Sequence, residues 1–292
     1  MEIRFTAVEG NRQKLDGGAM FGNAPKEMWK NWVEPDELSR IPLACRCLLI
    51  QYGSTKILFE VGIGAFFEPK LAQRFGVQSY ERHLLLENLT NLGIDHSDID
   101  FVVLSHLHFD HAGGLLPEFD EIKKGNDSIL FPNANYIVGK EAWDRANNPH
   151  FRDRASFIKD LPKKLEKTGR LKIIDPESQE EFFDGRLKFI NSDGHTPGQI
   201  LGVFRGNEKS IVYCGDLIPG KAWIHLPITM GYDRFPELVI EEKEKLYSDL
   251  DLENTIFFFT HDAEVAASEI TKNEKGKFLA SKDYPAPVGL SF

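Results

Sequence analysis

Long apolar runs are scarce in this 292-residue chain, and none approaches the roughly 20 residues that a bilayer-crossing helix needs. The most apolar stretches, such as Thr255 to Phe259, are strand-sized. No membrane span is expected. Cysteine is rare: three residues cannot build a disulfide framework, and Cys45 and Cys47 lie too close along an extended segment to bridge. Their apolar strand contexts, like that of Cys214, favour buried packing over nucleophile or ligand roles. Positive charge is in deficit, with Lys+Arg 35 against Asp+Glu 45 and a net charge of −10, the wrong sign for a partner built on a phosphate backbone. Nucleic acid is therefore not expected as substrate. The first residues, MEIRFTAVEGNRQKLDGG, hold neither an uninterrupted apolar stretch nor a small-residue cleavage site, so they read as mature sequence and the expected location is the cytoplasm. Also missing are a Gly-x-Ser-x-Gly elbow, a Walker loop and a His-Glu-x-x-His pair.

No internal repeat, low-complexity tract or Pro/Gly/Ser linker divides the chain, so one domain over 1–292 is expected. With 41% hydrophobic residues it can bury a full core. Strand-like runs fall at Glu2 to Val8, Leu43 to Tyr52, Thr55 to Val61, Asp100 to Leu104, Asn135 to Val138, Leu187 to Ile190, Gln199 to Phe204, Ser210 to Cys214 and Thr255 to Phe259. Many are apolar on both faces, as strands of covered sheets are. Helical spacing predicts helices over Ser79 to Leu92 and Pro236 to Asp249, with others near Glu68 to Phe75, Lys140 to Asn147 and Phe151 to Lys167. Strands in two groups with helices between them imply packed sheets covered by helices.

The chemistry is concentrated after the strand at Asp100 to Leu104, in Ser105-His106-Leu-His108-Phe-Asp110-His111-Ala-Gly-Gly114. His106 and His108 are two apart and share a side in extended geometry; Asp110 and His111 follow where the chain must turn and can face a neighbouring point. A solvated loop explains one such histidine easily, but three in six residues poorly. Imidazole and carboxylate are good metal ligands, and a catalytic site keeps a position open. Further ligands stand at other predicted strand ends: His195 in Gly-His-Thr-Pro-Gly, Asp216 in Cys-Gly-Asp and His261 in Thr-His-Asp. Each alone is weak, since a Gly-Asp at a strand end is usually just a turn; together they complete a set. His83 and His96 read as solvated or capping residues, His150 as a loop residue, and His225 as a packing residue.

This order, His106-x-His108-x-Asp110-His111 followed by His195, Asp216 and His261, resembles the metallo-β-lactamase superfamily. The resemblance implies an α+β fold, an αββα sandwich of two mixed sheets flanked by helices, with two divalent ions at one edge. It assigns His106, His108 and His195 to one ion, Asp110, His111 and His261 to the other, and Asp216 to both. These ligands suit zinc first, with manganese or iron also acceptable. The implied reaction is attack of metal-held hydroxide on a carbonyl carbon, with Asp110 protonating the leaving group.

Within that superfamily, Asp16-Gly-Gly-Ala-Met20-Phe-Gly22, then Pro25, Lys26 and Trp29, together with the histidine motif, is similar to quorum-quenching N-acyl-homoserine lactone lactonases. That likeness implies a small lactone or ester substrate. Several such lactonases carry a tyrosine three residues after the bridging aspartate; here that position is Pro219. Tyr213, Tyr232 or His225 could supply the donor instead. Met20, Phe21, Trp29 and Trp32 are read either as an apolar rim for an acyl chain or as ordinary core aromatics. Phe109 stands where the oxygen-reducing di-iron branch places a glutamate. The rivals are a phosphodiesterase, thioesterase or β-lactamase on the same scaffold, and a non-catalytic metal-binding protein. Oligomeric state is not legible.

Overall fold

The computed structural model describes residues 2–178 and 180–292. Its strands are β1 (Ile3–Glu9), β2 (Gln13–Asp16), β3 (Arg40–Leu43), β4 (Arg46–Tyr52), β5 (Thr55–Phe59), β6 (Phe101–Leu104), β7 (Asn135–Gly139), β8 (Leu171–Ile174), β9 (Leu187–Ser192), β10 (Gln199–Arg205), β11 (Ser210–Tyr213), β12 (Thr255–Phe258), β13 (Ala267–Lys272), β14 (Phe278–Tyr284) and β15 (Leu290–Ser291). One sheet runs β15-β1-β4-β5-β6-β7-β8 and a second β14-β13-β12-β11-β10-β9, with β2 and β3 paired apart. Both are mixed: β5 through β8 pair in parallel, as do β11 and β12, and the remaining pairs are antiparallel.

Alternation along each strand explains why the sheets stack. In β4, Leu48 and Ile50 point to an inner core shared with Phe59, Val103, Phe204, Ile211 and Phe258, while Cys47 and Leu49 point outward. The outer face of the first sheet is covered by helices Leu84–Asn91, Lys140–Asn147 and Leu161–Lys167 through Leu85, Leu89, Trp143, Leu161 and Leu165. The outer face of the second is covered by Pro236–Asp249 through Val239, Leu246 and Tyr247. The order helix, sheet, sheet, helix follows, since sheets apolar on both faces must be buried on both. All three cysteines are buried and form no disulfide; Cys47 and Cys214 pack in the apolar clusters, while Cys45 lies against His261. Among the described residues no helix is long and apolar enough to cross a membrane.

The structure departs from the sequence reading in instructive places. The run Leu43 to Tyr52 is strand only from Arg46; Leu43 is the last residue of β3, and at Ala44 and Cys45 the chain leaves β2 and starts pairing with β1. Strands β2, β3 but for Leu43, β8, β13, β14 and β15 escaped the apolar pattern; β14, for example, carries Ser281, Lys282 and Asp283 to solvent. The helix expected from Ser79 begins only at Leu84, after a turn in which Ser79 takes left-handed backbone at φ 51. The helix expected over Phe151 to Lys167 is a single turn at Arg154–Ser156 and a helix at Leu161–Lys167, with Pro162 in its first turn where the missing N–H costs nothing. His83 is not solvated: it is buried, its Nε2 lies 2.9 Å from the Gly114 carbonyl, and burial pushes its pKa down to about 4.

Candidate metal centre

All seven candidate ligands lie on segments that leave strand ends along one edge of the two sheets. His106 follows β6 by two residues, and Ser105 between them is anchored: its N–H donates to Glu60 Oε1 at 2.6 Å and its Oγ lies 2.9 Å from His106 Nδ1. His108 then caps a one-turn helix, Phe109–Ala112, which swings Asp110 and His111 away from the His106 side. The turn closes tightly against the chain after β5, where a Cβ on Gly114 would stand 1.9 Å from the Val61 carbonyl oxygen; only glycine fits. His195 precedes β10, Asp216 follows β11 through Gly215 at φ 50, and His261 follows β12.

Two triads result. His106 Nε2 lies 3.0 Å from His108 Nδ1, which is 3.3 Å from His195 Nε2. His111 Nε2 lies 3.2 Å from His261 Nε2, with Asp110 oxygens at 3.9 Å from His111 and 3.7 Å from His261. Asp216 sits between them, Oδ1 3.3 Å from His111 Nε2 and 3.1 Å from His261 Nε2, Oδ2 3.2 Å from His195 Nε2. Its two oxygens thus face one triad each.

These spacings suit cations. Donors about 2.0–2.1 Å from a shared tetrahedral ion lie roughly 3.3–3.4 Å apart. The outer ring atoms make the same point. His195 Nδ1 lies 2.9 Å from Asp233 Oδ1 and His261 Nδ1 lies 2.7 Å from the Ala44 carbonyl. Both partners only accept, so each Nδ1 carries a proton and each Nε2 is the atom presented to the centre. Electrostatics agree. Burial, then the neighbouring imidazoles, hold His106 and His108 well below the ordinary histidine range, in the neutral donor form. Burial would raise Asp216, but His111, His261 and His195 override it and keep the carboxylate ionised. The same burial opposes a charge on His111, His195 and His261, and the Asp216 carboxylate outweighs it. A cluster that attracts protons this strongly offers those places to cations.

Several supporting residues were invisible to sequence reasoning. Glu60 is fully buried at φ 63, its carboxyl is pushed up to about 7 by burial, and its Oε2 lies 3.7 Å from His111 Nδ1, on the ring edge turned away from the centre. Glu60, His106 and His111 therefore come within ligand spacing, but from behind. Gln13 Nε2 donates to Asp110 Oδ2 at 2.9 Å, and the Asp216 N–H donates to Gln199 Oε1 at 2.9 Å. Buried Lys243 donates to the carbonyls of Trp223, His225 and Ile228, and so fixes the segment that leads to Asp233. Asp233→Ala is expected to weaken metal binding about 10- to 100-fold while leaving the fold intact, because His195 loses the partner that orients it; competition with a chelator of known affinity measures this, and unchanged affinity would refute the role.

A cavity of about 390 Å³ opens over both triads, within the usual size of a small-molecule site. Leu15, Met20, Leu43, Phe75, Phe109 and Met230 give it an apolar side. Of the residues weighed as a rim, Phe21 and Trp29 are core: Phe21 stacks on Trp223 at 4.4 Å and on Trp29 at 5.7 Å. Trp32 lines a separate groove together with His225. Tyr213 is buried with its hydroxyl 2.8 Å from Thr260 Oγ1, out of reach of a ligand. Tyr232 lines the cavity and is 43% exposed. Pro219 contributes its carbonyl, which accepts the His261 N–H at 2.8 Å.

The model of the metallo-β-lactamase superfamily matches residues 40–261, which include every candidate ligand. The chain belongs to this superfamily. A solved structure described as a probable metal-dependent hydrolase from Staphylococcus aureus superimposes with a TM-score of 0.82 at 26% identity, covering 100% of this chain and 97% of that one. AidC, described as a dizinc quorum-quenching lactonase in complex with a product, has a TM-score of 0.73 at 20% identity, covering 97% of this chain and 95% of that one, a likeness of fold. The N-acyl homoserine lactonase AiiA of Bacillus thuringiensis subsp. kurstaki is 26% identical over 248 residues, 80% of this chain and 86% of that protein. Against two other curated relatives the chain spans only about half of their length, 54% and 44%.

Proposed function

We propose that the protein is a metal-dependent hydrolase of lactones or related carboxylic esters, acting as one domain on a small molecule in the cytoplasm, with two divalent ions per chain, zinc foremost. The observation that carries the reading is Asp216, whose two oxygens face two separate triads. His106, His108 and His195 would hold one ion, Asp110, His111 and His261 the other. Ions so held lower the pKa of water toward neutrality and polarise a carbonyl oxygen.

The chain's own residues do the rest. Asp110, at 15% side-chain exposure, is more open to the cavity than Asp216 at 7%, and is placed to pass a proton to the departing alkoxide. Tyr232 is the donor that the structure retains for a substrate carbonyl: burial, then the carboxylates of Asp110 and Asp16, raise its pKa and keep the phenol protonated. The apolar side of the cavity takes the acyl chain and excludes water. The lactonase relatives AiiA and AidC support the substrate class, and AidC supports zinc.

Elemental analysis with a panel of lactones, aryl esters, thioesters, phosphodiesters and β-lactams tests this. About two ions per chain are expected, and kcat/KM should rise about 4-fold per added acyl methylene, the equivalent of about 0.8 kcal/mol each, until the apolar wall is covered. Phosphodiester turnover far above every lactone and ester, or indifference to acyl length, would overturn the substrate assignment.

A further inference from the structure

Facing the apolar wall, the cavity presents Arg152 and Arg234, with Arg145 behind them. One carboxylate, Asp153, lies beside Arg145 and Arg234, and it is already committed. Arg145 donates to its Oδ2 twice, from Nε at 3.0 Å and Nη2 at 2.6 Å. Arg234 Nε approaches the same oxygen only to 3.9 Å. Arg152 donates a 3.2 Å hydrogen bond to the Gly231 carbonyl. Asp233, next to Arg234 in the chain, is occupied by His195 and by the Met230 N–H.

Arg234 is the telling member. Its side chain is only 13% exposed, yet among the described residues no acceptor takes a hydrogen bond from its guanidinium. Its fork of five donors opens on the cavity with no protein acceptor taken, and is free to donate to a bound acceptor. Burial, then repulsion from Arg152, already disfavours the charge there, with Asp153 opposing. A positive corner in a chain of net charge −10 steers anions to this point of the surface.

We propose that Arg234 and Arg152 bind an oxyanion carried by the substrate, a carboxylate or a phosphate set apart from the reacting carbonyl, so that the preferred lactone or ester is an acidic one. Guanidinium forks match both groups with paired, charge-assisted hydrogen bonds. This deepens the hydrolase reading and rests on it for the word substrate, though not for the anion site itself.

The test uses the metal-loaded full chain and three aryl esters of one chain length, ending in methyl, carboxylate or phosphate. In the wild type kcat/KM for at least one acidic ester should exceed that of the neutral ester by about 10-fold or more, and the better of the two identifies the oxyanion. In Arg152→Gln/Arg234→Gln the ratio should fall to near one. Arg152 is exposed, so Arg152→Gln alone must lower the ratio if the double variant fails to fold. Equal handling of charged and neutral esters by the wild type, a preference that survives in the variants, or a loss shared equally by all three esters overturns the proposal. Calorimetric titration with hexanamide and adipic acid monoamide reads the same ratio without turnover. If no ester is hydrolysed, yet the acidic amide binds about 10-fold tighter and loses that advantage in the variants, the hydrolase reading fails and the anion site stands.

Discussion

Asp216→Ala is expected to bring the metal content from about two ions per chain to one or fewer, and to lower kcat/KM about 10³-fold or more, at the upper end of what removing one electrostatic element of an active site costs. Asp216 is the side chain whose two oxygens reach both triads, at 3.1 and 3.3 Å on one side and 3.2 Å on the other. Alanine leaves His111, His195 and His261 buried around a hole where a carboxylate had stood. The two cations would then repel each other with no anion between them. Elemental analysis of the purified variant, paired with kinetics on the best substrate of the panel, checks both parts. Two retained ions with full activity would end the two-ion reading.

Asp110→Asn should leave folding and metal content close to the wild type while cutting kcat about 10²-fold, the scale of a lost general acid or base. The substitution is nearly isosteric, and the amide oxygen can still accept from Gln13 Nε2, which now donates to Asp110 Oδ2 at 2.9 Å. What asparagine cannot do is carry a proton to a leaving group. A folded, metal-loaded Asp110→Asn protein with unimpaired kcat would remove Asp110 from the chemistry and leave it a ligand at most.

The centre was legible in the chain to the extent that its donors are local. His106, His108, Asp110 and His111 fall within six residues, and the strand before them and the glycines after them say that the backbone turns there. His195, Asp216 and His261 were legible only as a set, by standing at predicted strand ends. The residues that hold the donors in place were not legible at all, because tertiary structure alone makes them neighbours. Gln13 meets Asp110 across 97 positions, and Asp233 meets His195 across 38. Glu60 reads like any charged residue at the end of a strand, and its partner, the Ser105 N–H, lies 45 positions further on. His83 was misread for the same reason: its partner, the Gly114 carbonyl, belongs to the far end of the histidine loop. In the fold, two-sided apolar strands announced themselves, while β14, half exposed and charged, did not.

The candidate ligands come from both layers of the sandwich, four from the loop after β6 in the first sheet and three from the ends of β9, β11 and β12 in the second. Cations held across that seam would act as rivets. Parting the layers and surrendering the ions would then be a single event, so by mass action each bound ion would weight the closed arrangement. The floor of the cavity would thereby be locked to the body of the molecule, while its walls are built from outlying pieces, the β2 strand at Leu15, the short helix at Met20 and the loops at Arg152 and Tyr232. Such walls can be redrawn by mutation without loosening a single rivet, which lets one reactive floor serve different ligands.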